Sequence, residues 1–300
     1  MAIILIDANI YLRFYDSNIS EFRKLLPTIK ELKDSIFITK QIVDEVNRNK
    51  LKLICKTLDN YRGKIAISKD MIPIHFDTEN NKEASDRNKK REKLIEDNKK
   101  LISELYDYTK KLSSLVEKSE DRVSIILQEI FSNANQPNED EINNARKRKE
   151  LGNPPGKKED AIGDELTWEQ LLSKYKNNNK EGIWIVSNDS DFMIDINGEL
   201  KLNPFLYSEL KEAADNNEPK LSLFRELSKA IKAYQDKTNQ IKNIPDKNTM
   251  DKIEKEEISF KEVLTLSDSI SIKLYRICEE CGTRFEVQKD ERVCLDCALI

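Results

Sequence analysis

The sequence predicts an α/β fold with a central parallel sheet, an inserted helical arm and a small cysteine-rich C-terminal unit. Three observations support this prediction. Short apolar runs alternate with segments of helical periodicity, which is typical of a parallel sheet. A long, highly charged interval without glycine interrupts that alternation, and four cysteines in two pairs lie near the C-terminus.

The first part, residues 1–78, contains two strands and two helices in alternation. Residues 2–6 form an unbroken apolar run that the polar residues DAN end, and IFIT at 36–39 is predicted as the second strand. Apolar residues from about position 20 recur every three or four positions, and another helix is expected from about Thr39. This succession favours parallel pairing of the strands.

The interval 79–150 is interpreted as an inserted helical arm. No glycine occurs between Gly63 and Gly152, and leucine and tyrosine recur at spacings of three and four. The pattern predicts a helical hairpin or a short coiled coil, with VSIILQEIF as a second helix packing on it. We expect such an arm to be a spacer or a surface for a partner protein.

The sheet is expected to resume in residues 151–215. Turn signals in GNPPGKK precede a helix that contains GDELTWEQLL, and GIWIV is predicted as the third strand. Residues 216–272 are mostly charged and are interpreted as a helical connector with little core of its own. Residues 273–300 form the cysteine unit.

Carboxylates lie at positions where such a sheet would bring them together. Asp7 ends the first strand, Glu45 lies in the helix after the second, and Asp189 follows the third. Asp164 is near the start of the helix before the third strand, with Asp160 one turn earlier. Ligands of parallel sheets bind at the carboxyl ends of the strands. We therefore expect these acids to converge.

A cluster of four carboxylates needs a cation, because burying unpaired charges costs several kcal/mol each. Oxygen ligands favour hard ions, so Mg²⁺ or Mn²⁺ is the expected metal. His75 is the only histidine in the chain, which excludes a histidine-rich zinc hydrolase centre. The alternative is that an acid at a strand end only caps the following helix.

Four segments in order resemble the PIN-domain nucleases: LIDANIYL, TKQIVDEV, the GD of AIGDELTWEQLL, and SNDSDF. The loop NPPGKK and the segment NPFLYSEL are similar to those of PIN-like proteins with long helical insertions. The resemblance covers residues 1–75 and 150–212. It implies a three-layer core around the parallel sheet.

The resemblance also implies roles for individual residues. Asp7, Glu45, Asp164 and Asp189 match the four family acids that hold Mg²⁺ or Mn²⁺. The positions that orient or assist them are matched by Asn9, Ser187 and Asp191, while Asp160 is kept as a further auxiliary acid. The implied activity is an endoribonuclease that cleaves phosphodiesters with metal-activated water. Compact family members often pair, which leaves a homodimer open.

A basic run precedes the Asp164 helix. Six cations fall within 13 residues, and they could steer a phosphate backbone toward the acids without reading its sequence. A solvated helix end is the competing interpretation. The residues are Arg146, Lys147, Arg148, Lys149, Lys157 and Lys158.

The C-terminal cysteines form two C-x-x-C pairs separated by 12 residues. This spacing predicts a tetrahedral Zn²⁺ site in a zinc ribbon, whose folding the metal would drive. A redox pair fits less well, since thiol exchange needs only one such motif. The ligands would be Cys278, Cys281, Cys294 and Cys297.

The overall charge excludes no class of partner. There are 51 Lys plus Arg against 55 Asp plus Glu, so the formal net charge is −4. No apolar stretch approaches the roughly 20 residues of a membrane span, and no signal peptide is recognised, so a cytoplasmic location is expected.

Two functions remain in competition at the level of sequence. The first is a metal-dependent endoribonuclease in RNA processing, toxin action or phage defence. The second is a catalytically inactive PIN-like scaffold whose arm and ribbon dock protein or RNA. Other aspartate-rich phosphoryl-transfer folds fit less well, because Asn9 stands where their second acid is expected.

Overall fold

The computed structural model describes residues 2–15, 21–63, 82–156, 161–177, 182–269, 275–277 and 284–286. Its residues form two compact units, Met1–Glu254 and Lys255–Ile300. The roles predicted for several residues stay predictions, because these residues lie outside the described ranges. They are Lys157, Lys158, Asp160 and the four cysteines of the paired motifs.

A four-stranded parallel sheet forms the centre of the first unit, in the order β2-β1-β3-β6. The α/β prediction with a central parallel sheet is therefore confirmed. All four residues of β1 and of β3 are buried, as their unbroken apolar sequences predict. The strands are β1 (Ile3–Ile6), β2 (Ile36–Phe37), β3 (Ile183–Val186) and β6 (Leu221–Phe224).

Helices cover both faces of the sheet. Because side chains alternate between the two faces of a strand, Ile4 and Trp184 face α2 and α9, while Leu5 and Ile185 face α3 and α7. Trp184 stacks on the ring of Phe224 with centroids 5.3 Å apart. The helices of these layers are α2 (Leu26–Glu31), α3 (Lys40–Gly63), α7 (Gly163–Asn177) and α9 (Leu227–Thr238).

Residues 82–151 contain three helices with different surroundings. α4 (Lys82–Glu117) packs on α3 but leaves large apolar side chains in solvent, among them Leu94 at 59% and Tyr108 at 58% exposure. By contrast, α5 (Arg122–Phe131) packs mainly on α2, and α6 (Glu139–Leu151) packs on α7. The second and third helices of the interval therefore contribute to the core of the first unit.

Three of the remaining elements of the first unit follow the turn of residues 187–192, here called the acidic turn. An antiparallel hairpin of β4 (Met193–Ile196) and β5 (Glu199–Leu202) comes directly after that turn. Further along lies α8 (Pro204–Ala213), which packs on α7. A short helix, α1 (Ala8–Leu12), follows β1.

The interpretation of 216–272 as a helical connector with little core of its own is wrong for β6 and α9. β6 is an edge strand of the central sheet, and α9 buries Leu227, Ile231 and Tyr234. The error arose because β6 has only four residues and all of them are partly exposed, so the apolar signal is short and weak. The last helix, α10, spans Lys247–Ser269.

In the second unit, β7 (Tyr275–Ile277) and β8 (Arg284–Glu286) pair in antiparallel fashion, with Arg276 opposite Phe285. The cysteine pairs lie outside the described residues, so the zinc ribbon stays a prediction. Across the described part of the chain, no helix has the length and apolar character to cross a membrane.

Candidate active site

Asp7 lies at the carboxyl end of β1, beside the end of β3. The register pairs Ile6 with Val186, and the Asp7 backbone N–H donates to the Val186 carbonyl at 3.0 Å. The buried Ser187 hydroxyl then donates to Oδ2 of Asp7 at 2.8 Å. Parallel pairing thus places an acid and its hydrogen-bond donor at one edge of the sheet.

The turn after β3 positions the second acid. The Asp189 backbone N–H donates to the Ser187 hydroxyl oxygen at 3.0 Å, and Oδ1 of Asp189 accepts from the Asp191 backbone N–H at 3.0 Å. Such short-range bonds are typical of Asp and Ser in turns. In this structure the Asp191 backbone N–H supports Asp189.

Glu45 and Asp164 come from two helices that pack on the same face of the sheet. The Thr39 hydroxyl accepts from the Ile42 backbone N–H at 3.2 Å at the start of α3, and it lies 3.2 Å from the Thr167 hydroxyl on α7. Glu45 follows one turn after Ile42, and Asp164 precedes Thr167 by one turn. The pair of threonines therefore holds the two acids close.

Gly163 lies at a close contact between α7 and α3. A Cβ atom at this position would overlap the side-chain amide of Gln41 on α3. Because this amide is the end of a flexible side chain, Gln41 can move away, and the contact mainly marks how near the start of α7, with Asp164, lies to α3. In the sequence, the only sign of this glycine was the dipeptide Gly163-Asp164, which is part of the resemblance to the PIN-domain nucleases.

Three of the four predicted acids line one small pocket between the sheet and the helices. Asp7, Glu45 and Asp164 share it with Ser187, and its apolar wall includes Phe192. Asp189 is close enough to raise the pKa of both Asp7 and Asp164. The acids from four separate segments therefore influence one another at one edge of the sheet.

The electrostatics of this pocket favour neutral carboxyl groups or a bound cation. Burial and the negative charges of Asp7, Asp189 and Glu45 raise the pKa of Asp164 to about 8. The pKa of Asp7 is also raised, mainly by burial. The Ser187 hydroxyl opposes this effect, the charge of Asp189 adds to it, and the backbone amides of Ala8 and Asn9 oppose it. Four ionised carboxylates repel one another here.

The donor set fits a hard divalent cation in its chemistry, since it consists of carboxylate and hydroxyl oxygens. As the side chains stand, however, the described residues contain no group of three or more His, Cys, Asp or Glu that could hold a metal ion. Binding a cation would require the acids to turn toward a common point.

Arg13 and Arg225 support the turn that carries Asp189, and neither was predicted from the sequence. With its amide oriented to satisfy both neighbours, the Asn188 side chain accepts from the buried Arg13 and donates to the Arg225 carbonyl at 3.0 Å. Arg225 follows β6, so the missed edge strand also supports the acidic turn. The detectable signal was an arginine within the apolar segment YLRFY.

A fifth carboxylate, Glu165, lies under the same helix end. It is 1% exposed, it contributes to the raised pKa of Asp164, and it pairs with Lys149 at 3.4 Å. Gly156 approaches it so closely that a Cβ atom there would overlap the Glu165 carboxylate. Lys149 thus has Glu165 as a partner within the protein.

Asn9, expected to orient the acids, is exposed, and no bond to an acid is seen for its side chain in the described residues.

Arg148 does not lie on the surface where the basic run placed it. It is 6% exposed, and its guanidinium donates to Glu169 at 2.6 Å, to Glu209 at 2.7 Å and to the Pro154 carbonyl at 2.6 Å. It therefore joins α6 to α7 and α8, and we withdraw it from the proposed nucleic-acid surface. Arg146 and Lys147 are exposed.

Comparison with known proteins gives one family. A family model described as PIN domain matches residues 4–192, which is more than half of the chain. This range includes all four predicted acids and α4 to α6. No curated protein and no solved structure matches the chain.

Proposed function

Because this chain belongs to the PIN-domain family, whose members are in general metal-dependent nucleases, we propose that it is a Mg²⁺- or Mn²⁺-dependent endoribonuclease. One observation carries the proposal. Asp7, Glu45 and Asp164 line one pocket at the carboxyl ends of the strands, and Asp189 acts electrostatically on two of them.

The proposed metal ligands are Asp7, Glu45, Asp164 and Asp189. A bound divalent cation would neutralise their repulsion, lower the pKa of a water molecule and stabilise negative charge on the phosphate. The donor chemistry supports a hard cation, although the acids must turn inward to share it. A bound cation would then also offset the burial and the neighbouring negative charges that raise the pKa of Asp164.

The residues around the acids would orient them. Ser187 fixes one oxygen of Asp7, and it holds the backbone of Asp189 at the same time. Second-sphere contacts of this kind set ligand orientation in metal sites. Asp191 supports Asp189 through its backbone N–H, and Asn9 and Asp160 remain proposed auxiliaries.

RNA would approach through exposed cations. Arg146 and Lys147 lie on the solvent side of α6, and Lys157 and Lys158 continue the basic run in the sequence. Contacts of this kind bind phosphate without reading bases. Lys149 is partly exposed and shared with Glu165, so its contribution should be smaller.

The second proposed metal is Zn²⁺, held by Cys278, Cys281, Cys294 and Cys297. The spacing of the two pairs supports this assignment. The antiparallel strands β7 and β8 flank the first pair in the sequence, as a zinc ribbon requires.

Cleavage assays with Mn²⁺ test the nuclease. Wild-type protein is expected to cut single-stranded RNA, while Asp7→Asn and Glu45→Gln should lose at least about 100-fold in rate, since removing a ligand costs more than the 10- to 100-fold of a second-sphere change. Asp44→Asn is the matched control, because Asp44 is next to Glu45 but pairs with Lys40. Equal rates for all four proteins would reject the proposal. The same assay with single-stranded DNA as the substrate distinguishes specificity for RNA from specificity for DNA.

A catalytically inactive scaffold is the second candidate. The observation in its favour is the exposure of large apolar side chains along α4, including Leu94, Tyr106 and Tyr108. Such a patch is common where a partner protein binds. Failure of Mn²⁺ to bind to wild-type protein, together with stable co-purification of a partner that Leu94→Lys abolishes, would favour this candidate.

A further inference from the structure

A second pocket lies on another side of α3, away from the acids. It has a volume of about 480 Å³, within the range of small-molecule sites, and is bounded by α3, α5 and the end of α4. Val43, Val46, Asn47 and Lys50 line it from α3. These four residues project from a different side of the helix than Ile42 and Glu45, which line the acidic pocket.

Lys50 brings a buried charge to this second pocket. The residue is 6% exposed, and its ammonium group donates to the Ser119 hydroxyl at 2.5 Å and to the Ser124 hydroxyl at 3.3 Å. Ser124 also shares a hydrogen bond of 2.8 Å with the Tyr15 hydroxyl. Since both serine oxygens accept from Lys50, their own hydrogens are directed elsewhere, and the Ser119 hydrogen is available to a ligand.

No carboxylate neutralises Lys50 by direct contact. Within the described residues no acid lies within ion-pair distance of its ammonium group. Asp121 acts on Lys50 electrostatically from beyond contact; its Oδ1 accepts from the Ser124 backbone N–H at 2.9 Å, and no hydrogen bond is seen for its buried Oδ2 within the described residues. Glu117, which also lines the pocket, is exposed, so water screens its charge.

The direction of the Lys50 pKa agrees with this geometry. Burial lowers the pKa, and the more distant charge of Asp121 only partly opposes the effect. A buried ammonium group without a contacting anion is costly, and an anionic ligand would remove that cost.

The lining of the pocket also includes an aromatic ring. Phe131 lines it from α5, and the Phe131 ring is held edge-to-face by Tyr11 with centroids 5.1 Å apart. A flat ring fixed in this way can stack against a base. Asn47 and Gln128 add amide groups of the kind that read base edges.

We propose that this pocket binds a nucleotide phosphate, with the phosphate on Lys50 and Ser119 and the base on Phe131. The site goes beyond the proposed nuclease function, because none of its residues belongs to the acidic pocket. A free mononucleotide and the 5′-phosphorylated end of an RNA offer the same chemistry.

Titration calorimetry on the full chain tests the site with AMP, adenosine and inorganic phosphate. AMP is expected to bind, adenosine at least about tenfold more weakly because it lacks the charged group, and phosphate should compete with AMP. Equal affinities for AMP and adenosine would overturn the proposal. These measurements contain no cleavage step, so an inactive nuclease does not affect them.

Variants assign the binding to this pocket. Lys50→Met should weaken AMP binding at least about tenfold, whereas Lys52→Met, an exposed lysine on the same helix, should leave it unchanged. Ser119→Ala is a second, milder change that should weaken binding about threefold, in case Lys50→Met disturbs folding. Wild-type affinity in both pocket variants would refute the assignment.

A 2′-O-methylated RNA trimer with a 5′-phosphate distinguishes the two sources of phosphate. If the trimer binds more tightly than AMP, an RNA end is the natural ligand; if AMP binds more tightly, it is a free nucleotide. In either case Lys50→Met should weaken the binding of the tighter ligand. An affinity for the trimer that Lys50→Met leaves unchanged would contradict binding in this pocket.

Discussion

The Ser187 hydroxyl donates to Oδ2 of Asp7 at 2.8 Å, although 180 positions separate the two residues in the chain. The same hydroxyl oxygen accepts from the backbone N–H of Asp189 at 3.0 Å. One buried hydroxyl therefore sets the orientation of an acid on β1 and of the turn that carries an acid after β3.

Replacing this hydroxyl should impair cleavage without removing an acid. Ser187→Ala is expected to lower the Mn²⁺-dependent rate by about 10- to 100-fold, because second-sphere partners orient metal ligands. Ser190→Ala is the matched control, since Ser190 is in the same turn but exposed. A wild-type rate for Ser187→Ala would show that Asp7 needs no such orientation.

The Asp164 carboxyl should make stability depend on pH when divalent cations are absent. Its pKa is raised from 3.8 to about 8, so the folded chain holds a proton that the unfolded chain has released. The free energy of unfolding should therefore fall as pH rises from about 4 to about 8. Urea titrations across this range measure the slope.

Asp164→Asn should flatten that pH dependence, because asparagine cannot ionise. Asp44→Asn should leave the slope unchanged, since Asp44 pairs with Lys40 at the surface. Mn²⁺ should stabilise the wild type most at the high end of the range, where the ionised acids would bind it. An equally steep slope in Asp164→Asn would assign the effect to another group.

The contact between Gly163 and Gln41 predicts a tolerated substitution. Gly163→Ala should change the free energy of unfolding by less than about 0.5 kcal/mol, because the Gln41 amide ends a flexible side chain and can turn away from the new methyl group. Urea unfolding of the two proteins measures the difference. A loss of about 2 kcal/mol or more would show that Gln41 is fixed against the start of α7.

Two arginines only two positions apart should behave differently. Arg148→Met leaves Glu169 and Glu209 without their shared cation and should cost about 3 to 5 kcal/mol of stability. Arg146→Met, at an exposed position, should change stability by less than about 0.5 kcal/mol and instead weaken RNA binding. Thermal unfolding and binding at two salt concentrations measure both effects, and equal stability losses would contradict the burial of Arg148.

Metal analysis tests the cysteine unit. The purified chain should contain one Zn²⁺ per molecule, and Cys294→Ser should lose it. Cys55→Ser is the control, because Cys55 is exposed on α3 and belongs to neither cysteine pair. Full zinc content in Cys294→Ser would exclude the proposed ribbon.

Local patterns in the sequence were sufficient for the core strands and the candidate acids. The apolar runs of β1 and β3 each end at a polar turn, and parallel pairing then requires Asp7 and Ser187 to be neighbours. β6 escaped recognition because four partly exposed residues carry little apolar signal. Its absence from the prediction also concealed the support that Arg225 gives to Asn188.

The amino-acid sequence by itself determined the parallel sheet, the order of its acids and the paired cysteines, since strand periodicity, turn residues and ligand spacing are local properties. Only the tertiary structure decided that Arg148 is buried between Glu169 and Glu209, that Gly163 meets Gln41 on α3, and that Lys50 faces a pocket. Those outcomes depend on which helices pack together, and packing depends on contacts between residues far apart in the chain.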